Sequence, residues 1–450
     1  MTIAVPDAPA PPTGLLARAE ILLRRGPGGP FDPRSWRSPL RGLWLTSVLA
    51  SVLLVGMTVL VVTGLLSYAA YDPAFGGSNE QTPARGLLGA YLFTWPTSPA
   101  WLYRVNQGTH VLLGLALIPV VLAKLWSVAP KLFVWPPVSS PAKALERVSI
   151  LLIVGSVLFL FVTGVMNIQY DYAFGFSFYT GHFYASWVFV AAFAAHVAMH
   201  LPVMVRTLRS RAFGAEMRVG TADTRPEPPD VYGLASPDPA PATMSRRGAL
   251  AVVGGSSLTL LALSVGQSVD PLRPTALLSP RGQSYGDGPN DFQVNTSFSE
   301  IGVEQAALGS PWRLELVGPG GQSLELRREE LLAMGMVDEE LPIACVEGWS
   351  TSQLWTGVRL RELAALVDGA DAGSVFVESL QRGGAFSTMT LSGAQIRAER
   401  SLLALKVNGV DLSLDHGFPA RLMIPAAPGV RNTKWVRTLS FQDDDAGADA

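Results

Sequence analysis

The sequence is short of cysteine: among 450 residues there is one, Cys345. A single thiol forms no disulfide within the chain, and a zinc or iron–sulfur site built on several cysteines is excluded. An excess of one charge is lacking too, because 34 Lys and Arg balance 36 Asp and Glu to a net charge of −2. We therefore expect no nucleic-acid partner. Free cysteines are most often small buried hydrophobic residues, so only its context decides whether Cys345 is a ligand.

Charged residues are scarce in the first 210 positions, where apolar runs are long enough to cross a bilayer, which takes about 20 residues. Four such runs are Leu43–Leu66, Val105–Trp126, Leu145–Ile168 and Phe183–Arg206. A fifth, less hydrophobic run with several glycines and serines follows Arg246. We expect an all-α transmembrane four-helix bundle and one further transmembrane helix, with the lipid membrane as a partner.

Two connections between these runs, 67–104 and 169–182, are poor in Lys and Arg, whereas basic residues cluster in the N-terminal arm and after the second and fourth runs. Basic loops stay in the cytoplasm, so we expect a multi-pass cell-membrane protein with a cytoplasmic N-terminus and no signal peptide. Five spans place the C-terminal domain outside the cytoplasm. The pair Arg246-Arg247 either resembles a twin-arginine export signal or holds the cytoplasmic end of the fifth span.

An internal repeat links the first and third runs, which end in VVTGLLSYAAYDPAFG and FVTGVMNIQYDYAFG. Thr63-Gly64 corresponds to Thr163-Gly164, and Tyr71-Asp72 corresponds to Tyr170-Asp171 after a shift of one residue. The similarity predicts two helical hairpins duplicated in parallel orientation, related by an axis along the membrane normal.

Histidine is also scarce, and four of the five histidines lie in the membrane half. His110 and His182 occupy equivalent positions near the outer ends of the second and fourth runs. Two imidazoles that face each other across a bundle suit a six-coordinate haem iron, and ionisable residues in spans are functional candidates. We expect one outer haem b on His110 and His182; the alternatives are His110 with His196, or histidines that are only hydrogen-bonded. Lys124 stands where a second, inner haem would need its histidine.

The composition changes near residue 290, where WRLELVG, QSLELR, SVFVESL, FSTMTLS and LLALKVNG predict strands, and REELLAM and VRLRELAALV predict helices. This pattern predicts a mixed α+β domain with its own core. The predicted organisation is a Pro/Arg-rich cytoplasmic arm 1–41, a cytochrome b-like membrane domain 42–211, a flexible Pro-rich linker 212–245, a transmembrane helix 246–267, a soluble domain 285–441 and an acidic tail 442–450.

The soluble part resembles the molybdopterin domain of the sulfite oxidase family. The resemblance rests on LPIACVEGWS, WTGV, LREL, LLALKVNG, HGFPARLMIP and NTKWV, which occur in the family's order. Within the family, Cys345-Val346-Glu347-Gly348-Trp349-Ser350 is most similar to the C-V-E-x-W-S motif of methionine sulfoxide reductase catalytic subunits. The resemblance implies a sulfite-oxidase-type fold, a Mo-molybdopterin cofactor and Cys345 as the thiolate ligand of molybdenum, a role that suits a soft donor.

The same resemblance implies residues that contact the cofactor. They are Asn290, Gln293, Ser379, His416, Arg421, Asn432, Thr433 and Lys434. Arg and Lys suit a phosphate through bidentate and point-charge contacts. Gln293-Val294 departs from the Tyr-Glu pair of the reductases. The family's sulfite oxidases carry a dimerisation domain after this one, and we expect none here.

The sulfoxide reductases of this family receive electrons from quinol through a separate haem-containing membrane subunit, and this chain resembles both parts fused. The resemblance implies a membrane-bound enzyme that takes an oxygen atom from a small-molecule or protein-bound sulfoxide and exchanges electrons with the quinone pool through the haem. Glu347 and Tyr285 are the candidates for proton transfer. The alternatives are oxidation of a small sulfur substrate, a molybdenum domain on a haem-free anchor, and a cofactor-free scaffold.

Overall fold

The computed structural model describes residues 28–73, 75, 93–171, 173–303, 305–383 and 386–443. Most of the predicted N-terminal arm and all but the start of the acidic tail lie outside the described residues. The chain divides into two compact units. The first comprises Met1–Val55, Ile118–Val157 and Val188–Ser256, and the second comprises Gly56–Leu117, Leu158–Trp187 and Ser257–Ala450.

Four long helices account for most of the first 210 residues: α1 Leu43–Ala70, α2 Leu102–Leu132, α3 Pro141–Asn167 and α4 Phe178–Ser210. They contain 27 to 33 residues each, which corresponds to about 40 to 50 Å of helix. A bilayer core is about 30 Å thick, so each is long enough to cross it. α2 and α4 contain internal prolines, which helices in membranes tolerate better than soluble ones.

By length and composition, five helices of the described chain are able to span a membrane: these four and Arg246–Gln267. The fifth contains α6, Arg246–Ala262, which follows the short helix α5, Phe213–Glu216. Large apolar side chains are exposed along these helices, for example Leu145 at 72% and Leu151 at 69%. Such surfaces are costly in water and suit lipid, so the helices indicate a membrane protein.

Polar contacts of the first unit involve the segment 212–245, which was predicted to be flexible. Within it, Glu227 accepts a hydrogen bond from the backbone N–H of Trp44 at 3.2 Å, and the N–H of Ala240 donates to the carbonyl of Arg37 at 2.8 Å. Arg246 is buried and donates to Glu216 at 2.9 Å. Buried charges need such partners. The hydrogen bonds hold the Pro-rich segment 212–245 in place.

Among its described residues, the C-terminal part contains ten strands and three short α-helices. The strands are β1 Arg313–Val317, β2 Ser323–Arg327, β3 Val337–Ala344, β4 Ser350–Arg359, β5 Ser374–Ser379, β6 Thr388–Ser392, β7 Leu402–Val407, β8 Val410–Asp411, β9 Arg421–Met423 and β10 Val436–Gln442; the helices are α7 Arg328–Leu332, α8 Leu360–Ala365 and α9 Gly393–Arg397. All five strands predicted from the sequence are present. The helix predicted from Val358 begins at Leu360, because Val358 and Arg359 pair with β7.

The strands form two five-stranded sheets. The first has the order β2-β1-β10-β5-β6, in which β1 and β10 are parallel and the other pairs antiparallel. The second has the order β3-β4-β7-β8, and β9 pairs with β7. One apolar core draws on both sheets, including Leu314, Val375 and Leu439 of the first and Val358 and Leu403 of the second, all fully buried. The loops at the ends of the strands are therefore held rigidly.

Candidate functional site

Cys345 lies in the tight connection between β3 and β4. The backbone N–H of Cys345 donates to the carbonyl of Trp349 at 2.9 Å, and the N–H of Gly348 donates to the carbonyl of Cys345 at 3.0 Å. Gly348 has a φ of +90°, a conformation that favours glycine. We call residues 345–350 the cysteine loop. Its thiol is 3% exposed and packs in an apolar cluster with Phe292, Trp349 and Trp355.

Burial raises the pKa of the Cys345 thiol above its ordinary value, and the nearby Glu347 carboxylate raises it further. The apolar surroundings therefore favour the protonated thiol when no metal is bound. A metal ion competes with that proton and takes the thiolate. The environment is that of a shielded ligand rather than of a free nucleophile.

Glu347 is the charged group next to the thiol. Its carboxylate accepts a hydrogen bond from the Trp349 indole N–H at 2.6 Å and lies 3.5 Å from the guanidinium of Arg281. Burial raises the pKa of Glu347, while Arg281 opposes that shift. Arg281 also donates to the backbone carbonyls of Tyr170 and Asn295, both at 2.9 Å. Sequence reasoning missed Arg281, because it precedes the soluble domain and no motif marks it.

Several residues proposed to bind the cofactor have buried polar atoms without a hydrogen-bond partner among the described residues. These atoms are Gln293 Oε1, His416 Nδ1, Arg421 Nε, Asn432 Nδ2 and Thr433 Oγ1. Folded proteins rarely leave such atoms unpaired, and each needs an explanation such as a ligand. Other buried polar atoms, such as Arg431 Nε and Ser401 Oγ, also lack a partner in the described part of the chain, but the five of the predicted set are available for a bound polar cofactor.

His416 is held in one protonation state. Its Nε2 lies 2.9 Å from the carbonyl oxygen of Asn290, so Nε2 carries the proton and Nδ1 is left as an acceptor. The ring stacks on Phe292 with centroids 3.7 Å apart. Burial, with the charges of Arg421 and Lys434, lowers the pKa of His416 to about 3. A neutral His416 is suited to accept a hydrogen bond from an N–H or O–H group of a ligand.

Arg421 and Lys434 are buried cations, and neither has an ion-pair partner among the described carboxylates. Burial lowers the pKa of Arg421 to about 9, and burial together with Arg421 lowers that of Lys434 well below its ordinary value. Lys434 donates to the carbonyls of Thr296 and Asp415, both at 2.7 Å. One ammonium N–H is left over. Unpaired buried cations are costly, and a phosphate-bearing cofactor would neutralise them.

Two other proposed contacts are already engaged with the protein. The side chain of Asn290 donates to the carbonyl of Asp411 at 3.0 Å and accepts from the N–H of Ser413 at 2.9 Å. Ser379 Oγ donates to the carbonyl of Lys434 at 2.8 Å. Both residues therefore brace the loops that carry His416 and Lys434. The residues of this donor set fit Mo-molybdopterin, with Cys345 as the metal ligand.

Within the second unit, the cysteine loop contacts helix α2. Gln107 Nε2 donates to the carbonyl of Val346 at 2.6 Å. A side chain at Gly348 would place its Cβ 2.6 Å from Cβ of Val111, so only glycine permits this approach. Ser268 Oγ donates to the carbonyl of Gly348 at 2.5 Å. No sequence motif indicates these contacts.

Tyrosines from the membrane part also lie near the thiol. Tyr71 and Tyr179 have ring centroids 5.7 Å apart. Burial raises the pKa of Tyr71 well above its ordinary value, and nearby Tyr103, Tyr179 and Cys345 raise it further. Next to them, Arg431 is buried and pairs with Asp72 at 3.1 Å. Tyr71, Arg431 and Cys345 are all buried.

His110 on α2 and His182 on α4 face each other in the second unit, with ring centroids 6.5 Å apart and planes at 70°. Two imidazoles bound to one metal ion from opposite sides have centres roughly 6 Å apart, because each metal–nitrogen bond is about 2 Å and the ring centre lies about 1 Å beyond. The observed separation fits one iron between them.

His196 lies on α4 in the first unit, where its ring centroid is 4.5 Å from that of His200. In the same unit, the ammonium of Lys124 donates to the carbonyl of Thr46 at 2.9 Å. The described residues contain no group of three or more His, Cys, Asp or Glu arranged to hold a metal ion. A metal in either histidine pair would need further ligands from a cofactor, as in a haem.

Comparison with known proteins identifies the C-terminal part. Residues 302–449 match the family model of the oxidoreductase molybdopterin binding domain. The chain is similar to the uncharacterized oxidoreductase YuiH of Bacillus subtilis, with 29% identity over 157 residues that cover 34% of this chain and 78% of that protein. Human mitochondrial sulfite oxidase is 30% identical over 165 residues, 30% of each chain.

A further relative is the putative protein-methionine-sulfoxide reductase subunit YedZ1 of Azospira oryzae, with 28% identity over 148 residues that cover 33% of this chain and 55% of that protein. The C-terminal part is therefore a molybdopterin-binding domain of the kind found in sulfite oxidases, as its motifs predicted. The chain is an oxidoreductase. It spans 30% of the length of the mammalian mitochondrial sulfite oxidases that it matches.

Proposed function

We propose that this protein is a membrane-bound molybdenum oxidoreductase that reduces sulfoxides outside the cytoplasm with electrons from quinol, relayed by one haem b on His110 and His182. The balanced reaction is sulfoxide plus quinol giving sulfide, water and quinone. A bound Mo-molybdopterin centre supplies the two-electron oxygen-atom transfer. The four long helices form the haem-carrying bundle, and the fifth joins it to the catalytic domain.

The observation that carries the proposal is the contact between the cysteine loop and helix α2. Gln107 bonds to the carbonyl of Val346, and Val111 touches Gly348. In the sequence of α2, His110 lies between Gln107 and Val111. The metal ligand and the haem ligand are therefore joined by a few bonds and contacts inside one compact unit. A membrane anchor without haem would not require Cys345 and His110 to lie close together.

The charges near Cys345 support a neutral substrate. Arg281 is occupied by Glu347 and by three backbone carbonyls, those of Gln169, Tyr170 and Asn295. A dianion such as sulfite would have to compete with Glu347 for that guanidinium. A sulfoxide carries no net charge and needs only a hydrogen-bond donor. Oxidation of a small sulfur compound at the same centre, with electrons flowing to quinone, is the alternative.

Sulfoxide reduction consumes two protons, and Glu347 is the better placed of the two candidate donors. Its carboxyl group is hydrogen-bonded to Cys345, and burial raises its pKa, so it holds a proton at a higher pH than an exposed glutamate. Tyr285 is 53% exposed, and burial together with Tyr170 raises its pKa to about 12. A phenol of that kind gives up its proton less readily at neutral pH.

The test is the metal and haem content of the detergent-purified chain together with its activity. We expect about one molybdenum and one haem b per chain, a dithionite-reducible α-band, and quinol-dependent reduction of a sulfoxide. Molybdenum without haem would overturn the relay and leave the domain on an anchor. Reduction of quinone by a sulfur substrate, with no sulfoxide reduction, would favour the alternative direction.

Cys345→Ser tests the metal ligand. Changes in groups that merely support a metal ligand cost about 10–100-fold, so loss of the ligand itself is expected to lower sulfoxide reduction by more than about 100-fold. The haem spectrum should be unchanged, because Cys345 does not touch the histidines. Full molybdenum-dependent activity in Cys345→Ser would contradict the assignment.

A further inference from the structure

The Thr-Gly pairs of the internal repeat place a threonine against each of the two facing histidines. Thr63 Oγ1 on α1 lies 2.9 Å from His110 Nδ1, and Thr163 Oγ1 on α3 lies 3.2 Å from His182 Nδ1. In each hairpin, the first helix supplies the threonine and the second supplies the histidine. The repeat therefore preserves a threonine–histidine pair and not a histidine alone.

Each threonine hydroxyl has already donated its proton within its own helix. Thr63 Oγ1 donates to the carbonyl of Val59 at 2.8 Å, and Thr163 Oγ1 donates to the carbonyl of Phe159 at 2.8 Å. A hydroxyl has one proton, so toward the imidazole its oxygen acts as an acceptor. With the hydroxyl proton on the helix carbonyl, the matching tautomer has the hydrogen on Nδ1 of each histidine, and the Nε2 lone pair of each ring is then free to bind a metal.

Further contacts fix the first of these pairs. Asn106 Nδ2 donates to the carbonyl of Thr63 at 2.9 Å and ties α2 to α1 one turn before His110. A Cβ at Gly64 would lie 3.3 Å from Cε1 of His110, so the glycine lets the ring lie close to α1. At Gly164 a Cβ would meet no atom within 4 Å. The His182 ring is instead packed against Phe178, with ring centroids 4.9 Å apart.

We propose that Thr63 and Thr163 are positioning residues that fix both axial histidines as Nε2 ligands and raise their donor strength toward the haem iron. This inference rests on the haem of the proposed function. Histidines that bind metals almost always donate their other N–H to an acceptor, which orients the ring and makes the ligand more basic. Here two threonines, buried in the helix pairs, would serve as those acceptors.

The test compares Thr63→Val and Thr163→Val with Thr63→Ser and Thr163→Ser in the full-length, detergent-purified chain. Valine keeps the shape and removes the acceptor, whereas serine keeps the hydroxyl. We expect each valine variant to retain haem 10–100-fold less tightly, with a higher haem midpoint potential and an altered low-spin electron paramagnetic resonance spectrum. The serine variants should resemble the wild type.

Ser156 provides the matched control. Its hydroxyl donates to the carbonyls of Leu152 and Ile153, the same backbone pattern as Thr163 two turns earlier on α3, but no histidine contact accompanies it among the described residues. Ser156→Ala should leave the haem potential and spectrum unchanged. Molybdenum content, measured in every variant, reports whether the C-terminal domain has folded.

The outcomes separate the two proposals. A wild-type chain without haem would overturn the proposed electron relay and this inference together. A wild-type haem whose potential, spectrum and retention are the same in both valine variants would overturn the inference alone. Loss of haem in the valine, serine and Ser156→Ala variants alike would also overturn it, because the effect would then come from helix packing and not from the histidine contact.

Discussion

At the scale of single residues, two buried arginines of similar exposure have opposite surroundings. Arg431 is 3% exposed in its side chain and pairs with Asp72 at 3.1 Å. Arg421 makes one long hydrogen bond, to the carbonyl of His416 at 3.4 Å, and lies 5.4 Å above the Trp355 ring. The cation of Arg431 is compensated by a carboxylate of the protein, whereas Arg421 has no carboxylate partner among the described residues. This difference is what the proposed binding of a cofactor phosphate by Arg421 requires.

This difference predicts opposite effects of the same substitution in cofactor-free protein, obtained from a host that makes no molybdopterin. Arg421→Met should raise the melting temperature of that form, since removal of an unpaired buried charge stabilises by about 1 kcal/mol or more. Arg431→Met should lower it, since a broken buried pair costs about 3–5 kcal/mol. Thermal unfolding followed by near-ultraviolet circular dichroism measures both.

With the cofactor available, Arg421→Met should bind molybdopterin poorly, which quantification of molybdenum per chain detects. A cofactor-free Arg421→Met protein that melts as low as Arg431→Met would show that Arg421 is compensated in the absence of a ligand. The assignment of Arg421 to the phosphate of the cofactor would then lose its physical basis.

At the scale of elements, the cysteine loop requires glycine at position 348 for two separate reasons. Gly348 has a φ of +90°, and its α-carbon faces Val111 of α2. Gly409, between β7 and β8, has a φ of +82° but open space around it. Alanine at either position incurs the strain of a left-handed conformation, about 1–2 kcal/mol. Only Gly348→Ala also pushes the loop away from the helix.

We therefore expect Gly348→Ala to slow the oxidation of the reduced haem by sulfoxide, while Gly409→Ala leaves it unchanged. Stopped-flow spectroscopy at the haem α-band measures the rate, and molybdenum content corrects for loss of cofactor. Removal of the opposing side chain in Gly348→Ala/Val111→Gly should restore part of the rate. Equal rates in the two single variants would mean that the contact with α2 has no part in electron transfer.

Elements differ in how well the sequence predicts them. The strands were predictable because β1 and β2 alternate apolar and polar residues and β7 is apolar except for Lys406. The helix α1 continues one turn beyond the predicted Leu66, to Ala70, since hydropathy falls before the backbone hydrogen bonds end. Cys345 was identified through its motif. Arg281, Gln107 and Val111 were not, because they meet the cysteine loop only through folding of distant segments.

At the scale of the whole molecule, the second unit contains one end of each of the four long helices together with the C-terminal domain. Arg104 on α2 donates to Ser352 of β4 and pairs with Asp270, both at 2.9 Å. The indole of Trp95 donates to the carbonyl of Ala426 at 2.7 Å. Because α2 also carries His110, these bonds connect the helix of His110 directly to the C-terminal domain, as the proposed electron transfer requires.

Because His110 and Cys345 lie in one compact unit of the same chain, we predict that electrons pass inside each molecule and not between molecules. When sulfoxide is added to protein whose haem has been reduced by quinol, the haem should be oxidised in a first-order process with a rate constant that does not depend on protein concentration. A mixture of Cys345→Ser protein with Thr63→Val protein, one lacking the metal ligand and the other weakened in its haem, should react no faster than the sum of its parts. A rate that rises in proportion to protein concentration would mean that the two centres meet by collision, and the contacts of the cysteine loop with α2 would then serve stability alone.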